Sequence, residues 1–446
     1  MVHGFTLFGT NIVVDVNSGA VHVFDDISFE VLRHYGKVDK KLIVDKLSSK
    51  YSVNEVEEAI DEIEELKNNG VLFSDDNYRQ YAGNSREKVI KALCLHVSHD
   101  CNLRCKYCFA STGNFGGERT VMSADIGKKA IDFLISHSGR RRNLEIDFFG
   151  GEPLMNFEVV KEIVFYALER EKDTGKKFKF TLTTNAMLLN EKHKDFINKY
   201  IQNIVMSIDG RPETNDRMRC RVDGSGSYTS ILPKIKDIAK SRKQEGYYVR
   251  GTFTRENLDF SNDVLHLAEE GFEQISVEPV VAAKDTGYDI REEDLPVLFD
   301  EYERLAYKYV QRYKEGKGFN FFHFMIDLNQ GPCVIKRLTG CGSGSEYVAI
   351  TPEGDIYPCH QFVGIKEFKM GNVNENSIDA KLQEKFMDSN VYSKEDCQNC
   401  WAKFYCSGGC AANAYQFNND INIPYKIGCE LEKKRLECAL WIKTQI

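Results

Sequence analysis

The sequence predicts an α/β protein built around a partial barrel of six β/α units, and three patterns support this prediction. Apolar, strand-like runs between residues 92 and 281 alternate with helical patterns. Three short alternating segments and then three helical patterns occupy residues 5–73, an order typical of a small winged-helix domain. Most of the fourteen cysteines lie in the C-terminal third. We therefore expect a winged-helix domain, a partial barrel and a cysteine-rich domain, over 1–78, 88–290 and 325–446.

Length and charge restrict the classes of function. The chain has 446 residues and a net charge of −8, so it lacks the basic footprint of most nucleic-acid-binding proteins. The apolar N-terminal run lacks preceding basic residues and is interrupted by Asp15, unlike an export signal. No apolar run approaches the length of a membrane span. We expect a cytoplasmic protein with no nucleic-acid or membrane partner, in which fourteen cysteines indicate metal clusters rather than disulfides.

The winged-helix prediction rests on turns, periodicity and helix-end signals. Strand-like alternation over 5–24 is broken by turns that contain Gly and Asn. In the third helix, Ser52 and Glu55 form a candidate capping box, and Gly70 can end the helix. This helix has an acidic outer face, which disfavours DNA as its ligand. The three helical segments lie at about 27–35, 40–49 and 53–69.

The barrel prediction rests on six strand-like runs separated by helical segments. Such alternation implies parallel strands with right-handed crossovers, and an active site at the C-terminal ends of the strands. A polar stretch over 74–88 reads as the linker before the first strand. The runs are 92–98, 144–150, 179–185, 203–210, 248–254 and 274–281.

A loop directly after the first strand carries Cys101, Cys105 and Cys108. In a 4Fe–4S cluster each iron takes one protein ligand, so three thiolates in one loop leave one iron open to chemistry. The alternative is a zinc knuckle. A structural zinc site requires four protein ligands, and His99 is the nearby donor that could be the fourth.

Polar residues and glycines cluster where the later strands end. Paired glycines allow close approach of a ligand to the backbone, and an adjacent carboxylate can bind an ammonium group. Ser, Thr, Asn and Asp at these positions can also serve as ordinary turn or capping residues. The candidates are Gly150, Gly151 and Glu152 after the second strand, Thr184 and Asn185 after the third, and Ser207 and Asp209 on the fourth.

The three-cysteine spacing followed by the Gly-Gly-Glu motif resembles the radical S-adenosylmethionine (SAM) superfamily. The resemblance implies that the open iron chelates SAM, passes it an electron and yields a 5′-deoxyadenosyl radical. It implies that Glu152 and its glycines hold the methionyl amino group, while the polar residues of the third and fourth strands hold the ribose and carboxylate. Arg219 resembles the family's arginine for the SAM carboxylate, with Arg217 and Arg221 as alternatives. Phe109 is expected near adenine or in the core.

The C-terminal cysteine order resembles the SPASM domain, which adds two auxiliary iron–sulfur clusters to a radical SAM barrel. A pair of zinc ribbons is the alternative. In sulfatase-maturing members of this family another cysteine follows the first one within a few residues, but no cysteine follows Cys341 so closely here. The auxiliary cluster that includes Cys341 therefore has an open iron unless Cys333 closes it. Cys94, Cys220 and Cys438 match no motif. The resemblance implies one auxiliary cluster on Cys341, Cys359 and Cys410, and the other on Cys397, Cys400, Cys406 and Cys429.

Taken together, the three regions resemble the thioether-forming maturases of six-cysteine (SCIFF) ribosomal peptides. The resemblance implies SAM and three 4Fe–4S clusters as cofactors, and a crosslink between a cysteine sulfur and a carbon of an acceptor residue. The substrate would be a Cys-rich precursor peptide whose leader adds a strand to the winged-helix sheet and packs on the third helix. An electron donor such as flavodoxin or ferredoxin is also implied.

Other functions stay open at this point. A winged helix can also bind DNA or dimerise. A formylglycine-forming sulfatase maturase normally lacks this N-terminal domain, and a peptide enzyme that forms carbon–carbon bonds would share the barrel motifs. A nonenzymatic iron–sulfur carrier would leave the Gly-Gly-Glu motif and the strand-end polar residues without a role.

Overall fold

The computed structural model describes residues 1–82, 87–328 and 334–446. Within these residues the strands are β1 Val2–Leu7, β2 Thr10–Asp15, β3 Val21–Phe24, β4 Ala92–Ser98, β5 Asn143–Gly150, β6 Lys177–Thr184, β7 Asn203–Ser207, β8 Tyr247–Phe253, β9 Gln274–Pro279, β10 Asn320–Phe321, β11 Tyr347–Ile350, β12 Asp355–Tyr357, β13 Gly371–Asn372 and β14 Ser377–Ile378. The helices are α1 Asp26–His34, α2 Lys40–Leu47, α3 Val53–Asn68, α4 Ala124–His137, α5 Phe157–Thr174, α6 Glu191–Tyr200, α7 Pro212–Met218, α8 Tyr228–Ser241, α9 Phe260–Glu269, α10 Leu295–Lys314, α11 Val334–Thr339, α12 Ala380–Asp388, α13 Glu395–Gln398, α14 Lys403–Cys406, α15 Ala411–Asn418 and α16 Lys426–Gln445.

The N-terminal region is the predicted three-stranded sheet with three helices. The sheet is antiparallel in the order β1-β2-β3, and Ile12 pairs with Phe5 on one side and Val23 on the other. At the start of α3 the capping box is confirmed: the Glu55 N–H donates to Ser52 Oγ at 3.3 Å, and the Ser52 N–H donates to Glu55 Oε2 at 2.8 Å. The apolar stripe of α3 packs against α1, α2 and the sheet in a core of its own.

The six predicted barrel strands are confirmed as β4 to β9, parallel and adjacent in chain order. In β5, Leu144, Ile146 and Phe148 are buried, as alternation predicts for one face of a strand. Helices connect these strands, so the C-terminal ends of all six meet at one edge of the sheet. That edge is where side chains from separate strands can converge on one ligand.

The sheet continues past the six predicted strands. β10 extends it beside β9, and β11 pairs in parallel with β4, followed by antiparallel β12, β13 and β14. These strands are two to four residues long, too short for an alternation pattern to reveal them. The C-terminal region therefore shares a sheet with the barrel, which protects the edge of β4. The domain bounds 1–78, 88–290 and 325–446 stay predictions.

The N-terminal sheet presents one edge to the C-terminal region. From β1, the His3 ring stacks on Trp401 at 4.0 Å, and its Nε2 lies 3.0 Å from Glu437 Oε1 on α16. At the opposite edge, Val23 of β3 is 59 % exposed. The sheet therefore leaves β3 as its outer strand.

No helix among the described residues has both the length and the apolar character needed to cross a lipid bilayer.

Candidate functional site

A cavity lies at the C-terminal ends of the barrel strands. The three-cysteine loop that follows β4 forms one part of its wall, and residues at or after the ends of β5 to β9 form most of the rest. The sequence candidates that line it are Cys101, Cys105, Cys108, Phe109, Gly150, Gly151, Thr184, Asn185, Ser207 and Arg219. The structure thus brings together residues predicted from separate strand ends.

Backbone hydrogen bonds hold the three-cysteine loop in place. The Arg104 N–H donates to the Cys220 carbonyl at 2.7 Å, and the Lys106 N–H donates to the Met218 carbonyl at 2.9 Å. A close approach at Gly113 adds to this packing, since a Cβ there would lie 2.7 Å from Cys101 Cβ. The loop is therefore fixed at its start and in its middle by tertiary contacts, which preorganises its thiols.

The electrostatic environment of the thiols fits a metal cluster. Burial, with Glu152 nearby, raises the pKa of Cys101 to about 12, and burial raises that of Cys105 to about 11 despite Arg219. Two donors nevertheless point at Cys101 Sγ, the Leu103 N–H at 3.4 Å and the Asn185 amide at 3.6 Å. Since a bound metal deprotonates its thiol ligands and such donors stabilise thiolate sulfur, these residues fit an iron–sulfur cluster.

The glycines of the Gly-Gly-Glu motif let the end of β5 approach the cysteine loop closely. Gly150 has φ +130°, and a Cβ there would lie 2.2 Å from the Ser98 carbonyl oxygen. At Gly151 a Cβ would lie 2.3 Å from the Asp100 carbonyl oxygen. Only glycine fits either position, so both residues are fixed by close packing as well as by the cavity they line.

The Glu152 side chain does not line the cavity. It is fully buried, and its carboxylate accepts from the Leu154 N–H at 3.0 Å, the Thr184 hydroxyl at 2.8 Å and the Asn185 N–H at 2.7 Å. Burial raises the pKa of Glu152, while these donors oppose the shift. In this conformation the carboxylate positions the end of β6 and is absent from the cavity lining, and its contact with the methionyl ammonium group stays a prediction.

Asp209 and Arg219 are joined through Tyr107. Both carboxylate oxygens of Asp209 accept from the Tyr107 hydroxyl, at 2.7 and 2.8 Å, and Arg219 Nη1 donates to the Tyr107 oxygen at 2.9 Å. Burial raises the pKa of Asp209 to about 6, although Arg219 opposes the shift. Asp209 is fully buried behind the lining, whereas Tyr107 and Arg219 line the cavity. This network ties the cysteine loop to the segment after β7.

Of the three arginines considered, Arg219 is the one in the cavity wall. It is 7 % exposed, and its buried Nε has no hydrogen-bond partner. Arg217 donates to the Glu256 carbonyl at 2.7 Å, and Arg221 donates to the Ser230 hydroxyl. A guanidinium in a cavity wall is suited to an anionic ligand such as a carboxylate.

An aromatic patch lines another part of the wall. The Phe109 ring is half exposed and lies 5.3 Å from His360 and 6.4 Å from Phe149. The Phe149 and His360 rings are 5.0 Å apart. A planar apolar group such as a nucleobase can stack on such a surface.

Sequence reasoning missed several residues of this cavity. Arg250 on β8 pairs with Glu278 on β9 at 2.6 Å, and both line the cavity with Tyr107 and His360. Although burial would raise it, Arg250 and His323 hold the pKa of Glu278 below its usual value. The available signal was a single charged residue in each of two otherwise uncharged strands, since such residues are costly to bury unless they are paired or functional.

The C-terminal cysteines form two groups. Burial raises the pKa of Cys359, and the thiols of Cys410 and Cys341 raise it further. Burial likewise raises the pKa of Cys406 to about 12, with Cys429, Cys397 and Cys400 among its charged neighbours. The groups are thus Cys341, Cys359 and Cys410 on one side, and Cys397, Cys400, Cys406 and Cys429 on the other.

One cysteine of the first group directly precedes two residues of the cavity wall. Cys359 is followed directly by His360 and Gln361, which line the cavity wall. Among the described residues, no set of three or more His, Cys, Asp or Glu side chains is arranged around a single metal ion. Cys333 lies outside the described residues. Cys94 and Cys438 are buried and Cys220 is partly exposed; none of the three lines the cavity.

Comparison with known proteins supports this architecture. A family model described as a 4Fe-4S single cluster domain matches residues 91–232, and the SPASM model, described as an iron-sulfur cluster-binding domain, matches residues 341–401. The radical SAM cyclopropyl synthase TigE of Paramaledivibacter caminithermalis is 22 % identical, with 94 % of this chain and 89 % of that protein covered.

Two solved structures share the fold. The enzyme anSMEcpe with bound AdoMet and the Cp18Cys peptide has a TM-score of 0.64 at 18 % identity, covering 79 % of this chain and 97 % of that one. Streptococcus suis SuiB bound to its precursor peptide SuiA has a TM-score of 0.51 at 17 % identity, covering 95 % and 97 %. The fold, the cysteine loop and these matches define a radical SAM protein with a SPASM domain. The chain is similar to the cyclopropyl synthase over most of its length and shares its fold with both solved structures.

Proposed function

We propose that this protein forms thioether crosslinks between a cysteine sulfur and a carbon of an acceptor residue in a ribosomally made, Cys-rich precursor peptide. The observation that carries the proposal is the shared cavity. One part of its wall holds Cys101, Cys105 and Cys108, and another holds the two residues that follow Cys359. A site that activates a carbon and a site that can bind a thiolate would then border the same space.

Three 4Fe–4S clusters and SAM would supply electron transfer and a 5′-deoxyadenosyl radical that removes hydrogen from carbon. Cys101, Cys105 and Cys108 would hold the cluster that binds SAM. Arg219, with its unpartnered Nε, would bind the SAM carboxylate, and the aromatic patch around Phe109 would pack on adenine. Gly150, Gly151, Thr184, Asn185 and Ser207 would line the ribose and methionyl part. Glu152 and Asp209 would position these groups from behind the wall.

The two groups of C-terminal cysteines would hold the auxiliary clusters. Three cysteines in the first group leave one iron for an external thiolate, unless Cys333 fills that position. A substrate thiol bound there would lose its proton to solvent, because metal coordination lowers the pKa of a thiol.

The proposed reaction balances as an oxidation. One C–H bond and one S–H bond break and one C–S bond forms. The hydrogen atom from carbon leaves in 5′-deoxyadenosine, the thiol proton goes to solvent, and one electron leaves through the auxiliary clusters to an acceptor. The initial electron for SAM cleavage comes from a donor of the flavodoxin or ferredoxin class. This donor and a cytoplasmic location stay predictions.

The leader of the precursor peptide would bind at the outer edge of the N-terminal sheet. A groove there is lined by β3 residues and by Glu62, Ile63 and Leu66 of α3. An edge strand offers unpaired backbone groups, so an extended peptide can add as a fourth strand while its side chains contact α3.

A different peptide modification is the second candidate. The 22 % identity with a cyclopropyl synthase extends over nearly the whole chain, including its N-terminal region. The cavity wall alone does not determine which bond forms after hydrogen is removed. Carbon–carbon bond formation or formylglycine formation would therefore use the same barrel residues.

Replacing Cys101, Cys105 and Cys108 by Ala tests the proposal. The variant should lose formation of 5′-deoxyadenosine from SAM under reducing conditions, and iron content should fall by about four atoms, one cluster. The matched control is Cys94→Ala, which removes a buried thiol outside the cavity. Undiminished 5′-deoxyadenosine in the triple variant would contradict the assignment.

A further inference from the structure

We propose that Lys394 is a buried cation shared by the two auxiliary clusters, and that its positive charge makes both easier to reduce. This inference rests on the proposed assignment of the C-terminal cysteines to two clusters. It goes beyond that assignment by naming a residue, outside the ligand set, that positions charge between them.

Lys394 reaches the loop that joins the two cysteine groups. Its side chain is 3 % exposed, and its Nζ donates to the Gly408 carbonyl at 2.7 Å. Gly408 lies two residues after Cys406 and two before Cys410, which belong to different groups. The Lys394 carbonyl also accepts from the Cys397 N–H at 3.0 Å. The ammonium group therefore sits at the connection between the proposed clusters.

The cysteines near Lys394 come from both groups. Burial lowers the pKa of Lys394, and the thiols of Cys397, Cys406, Cys410 and Cys429 act in the opposite direction. Cys410 belongs to the first group and the other three to the second. Lys394 thus lies near cysteines of both groups, in agreement with its hydrogen bond to Gly408.

Lys394 has no carboxylate to balance its charge. Among the described residues no Asp or Glu forms an ion pair with it, and segments 83–86 and 329–333 contain neither residue type. By contrast, the buried Lys403, which is 4 % exposed, has a carboxylate counterion, because its Nζ lies 3.3 Å from Asp76 Oδ2. A buried ammonium without a counterion is costly, so an anion is expected next to Lys394.

Iron–sulfur clusters with thiolate ligands carry net negative charge and would supply that anion. Reduction adds a further negative charge, so a fixed cation close by stabilises the reduced form more than the oxidised form. Lys394, at the loop between the two proposed clusters, would therefore stabilise an added electron on either of them.

The test uses the full-length protein with Cys101, Cys105 and Cys108 replaced by Ala, so that only auxiliary clusters contribute. Potentiometric titration followed by electron paramagnetic resonance compares the parent with Lys394→Gln and Lys394→Arg. Glutamine keeps a hydrogen-bond donor but is neutral, whereas arginine keeps the charge. Lys381→Gln, an exposed lysine of the same region, is the matched control.

We expect Lys394→Gln to lower the reduced-to-oxidised ratio of both clusters at a fixed potential by at least about tenfold, which is about 59 mV for a one-electron couple. Lys394→Arg and Lys381→Gln should titrate like the parent. Unchanged potentials in Lys394→Gln, or a shift in only one cluster, would overturn the inference.

Measuring the iron content distinguishes a failure of the Lys394 inference from a failure of the two-cluster assignment on which it rests. The parent should hold about eight irons, two clusters. A value near four or below would overturn the two-cluster assignment itself and the shared cation with it. If Lys394→Gln loses iron, retention by Lys394→Arg would support charge compensation, and equal loss in both variants would contradict it.

Discussion

The side-chain amide of Asn185 donates to the Sγ of Cys101 across 3.6 Å, which links the end of β6 directly to the three-cysteine loop. The same residue donates its backbone N–H to Glu152 at 2.7 Å. The position of Asn185 in the cavity wall therefore depends on the Glu152 carboxylate, which does not itself line the cavity.

Glu152→Gln should weaken SAM binding without removing a cavity-lining group. The substitution replaces an acceptor oxygen by an NH2 group, so one of three buried donors loses its partner at a cost of about 1–3 kcal/mol. We expect about tenfold weaker SAM binding in an equilibrium titration. The control is Glu158→Gln, a well-exposed carboxylate on α5. Equal SAM affinity of the two variants would show that Glu152 does not order the wall.

Arg250→Gln should affect the peptide substrate more than SAM. The Arg250–Glu278 ion pair lines the cavity from β8 and β9, away from β4 in the sheet, where a peptide backbone can contact it. We expect at least about tenfold less crosslinked peptide per 5′-deoxyadenosine formed, since each lost charged hydrogen bond costs about 1.5–3 kcal/mol. The control is Arg255→Gln, whose partner Glu293 is outside the cavity. A proportional fall in both products would assign Arg250 to SAM cleavage instead.

Val23→Glu should weaken leader-peptide binding. Val23 lies on β3 in the groove against α3, and a carboxylate there would lose apolar contact and face Glu62. We expect at least about tenfold weaker leader binding by fluorescence anisotropy, with SAM cleavage unchanged. Val53→Glu on the exposed start of α3 makes the same chemical change outside the groove. Leader binding that both variants retain in full would exclude the β3 edge as the recognition site.

Asp147→Asn should stabilise the protein most at higher pH. Burial, with Glu145 nearby, raises the pKa of Asp147 from 3.8 to about 6. A carboxyl group with a raised folded-state pKa contributes stability at low pH and loses it as pH rises through the folded pKa. The asparagine variant, which has no charge to bury, should gain up to about 3 kcal/mol at about pH 8. Thermal unfolding at about pH 5.5 should show a smaller difference, and a pH-independent difference would contradict this origin.

The barrel and its site could largely be predicted from the sequence because their signals are local. The observed β4 has the predicted bounds 92–98, since its apolar run is continuous and turns follow it. The cysteine loop and the strand-end residues then converge because parallel strands place their C-terminal ends together. The same rule placed Thr184, Asn185 and Ser207 in one cavity.

What could not be predicted depends on side-chain direction and on pairing between distant segments. The Glu152 side chain faces Thr184 and Asn185, because buried N–H and O–H donors at the end of β6 need an acceptor. Tyr107 bonds both Asp209 and Arg219, each of which lies more than one hundred residues further along the chain. The strands β11 to β14 are too short to show a periodic pattern, although they complete the sheet.

The measurement that tests the central claim most directly is mass spectrometry of a Cys-rich precursor peptide after reaction with the reconstituted protein, SAM and a reductant. We predict loss of two hydrogen atoms per crosslink, 5′-deoxyadenosine in at least equal amount, and protection of one peptide thiol per crosslink from alkylation. A peptide with its cysteines changed to Ser should keep its mass, because no thiol is present to form the C–S bond. Loss of two hydrogens with every thiol still free to alkylate would contradict thioether formation and indicate a carbon–carbon crosslink or formylglycine instead.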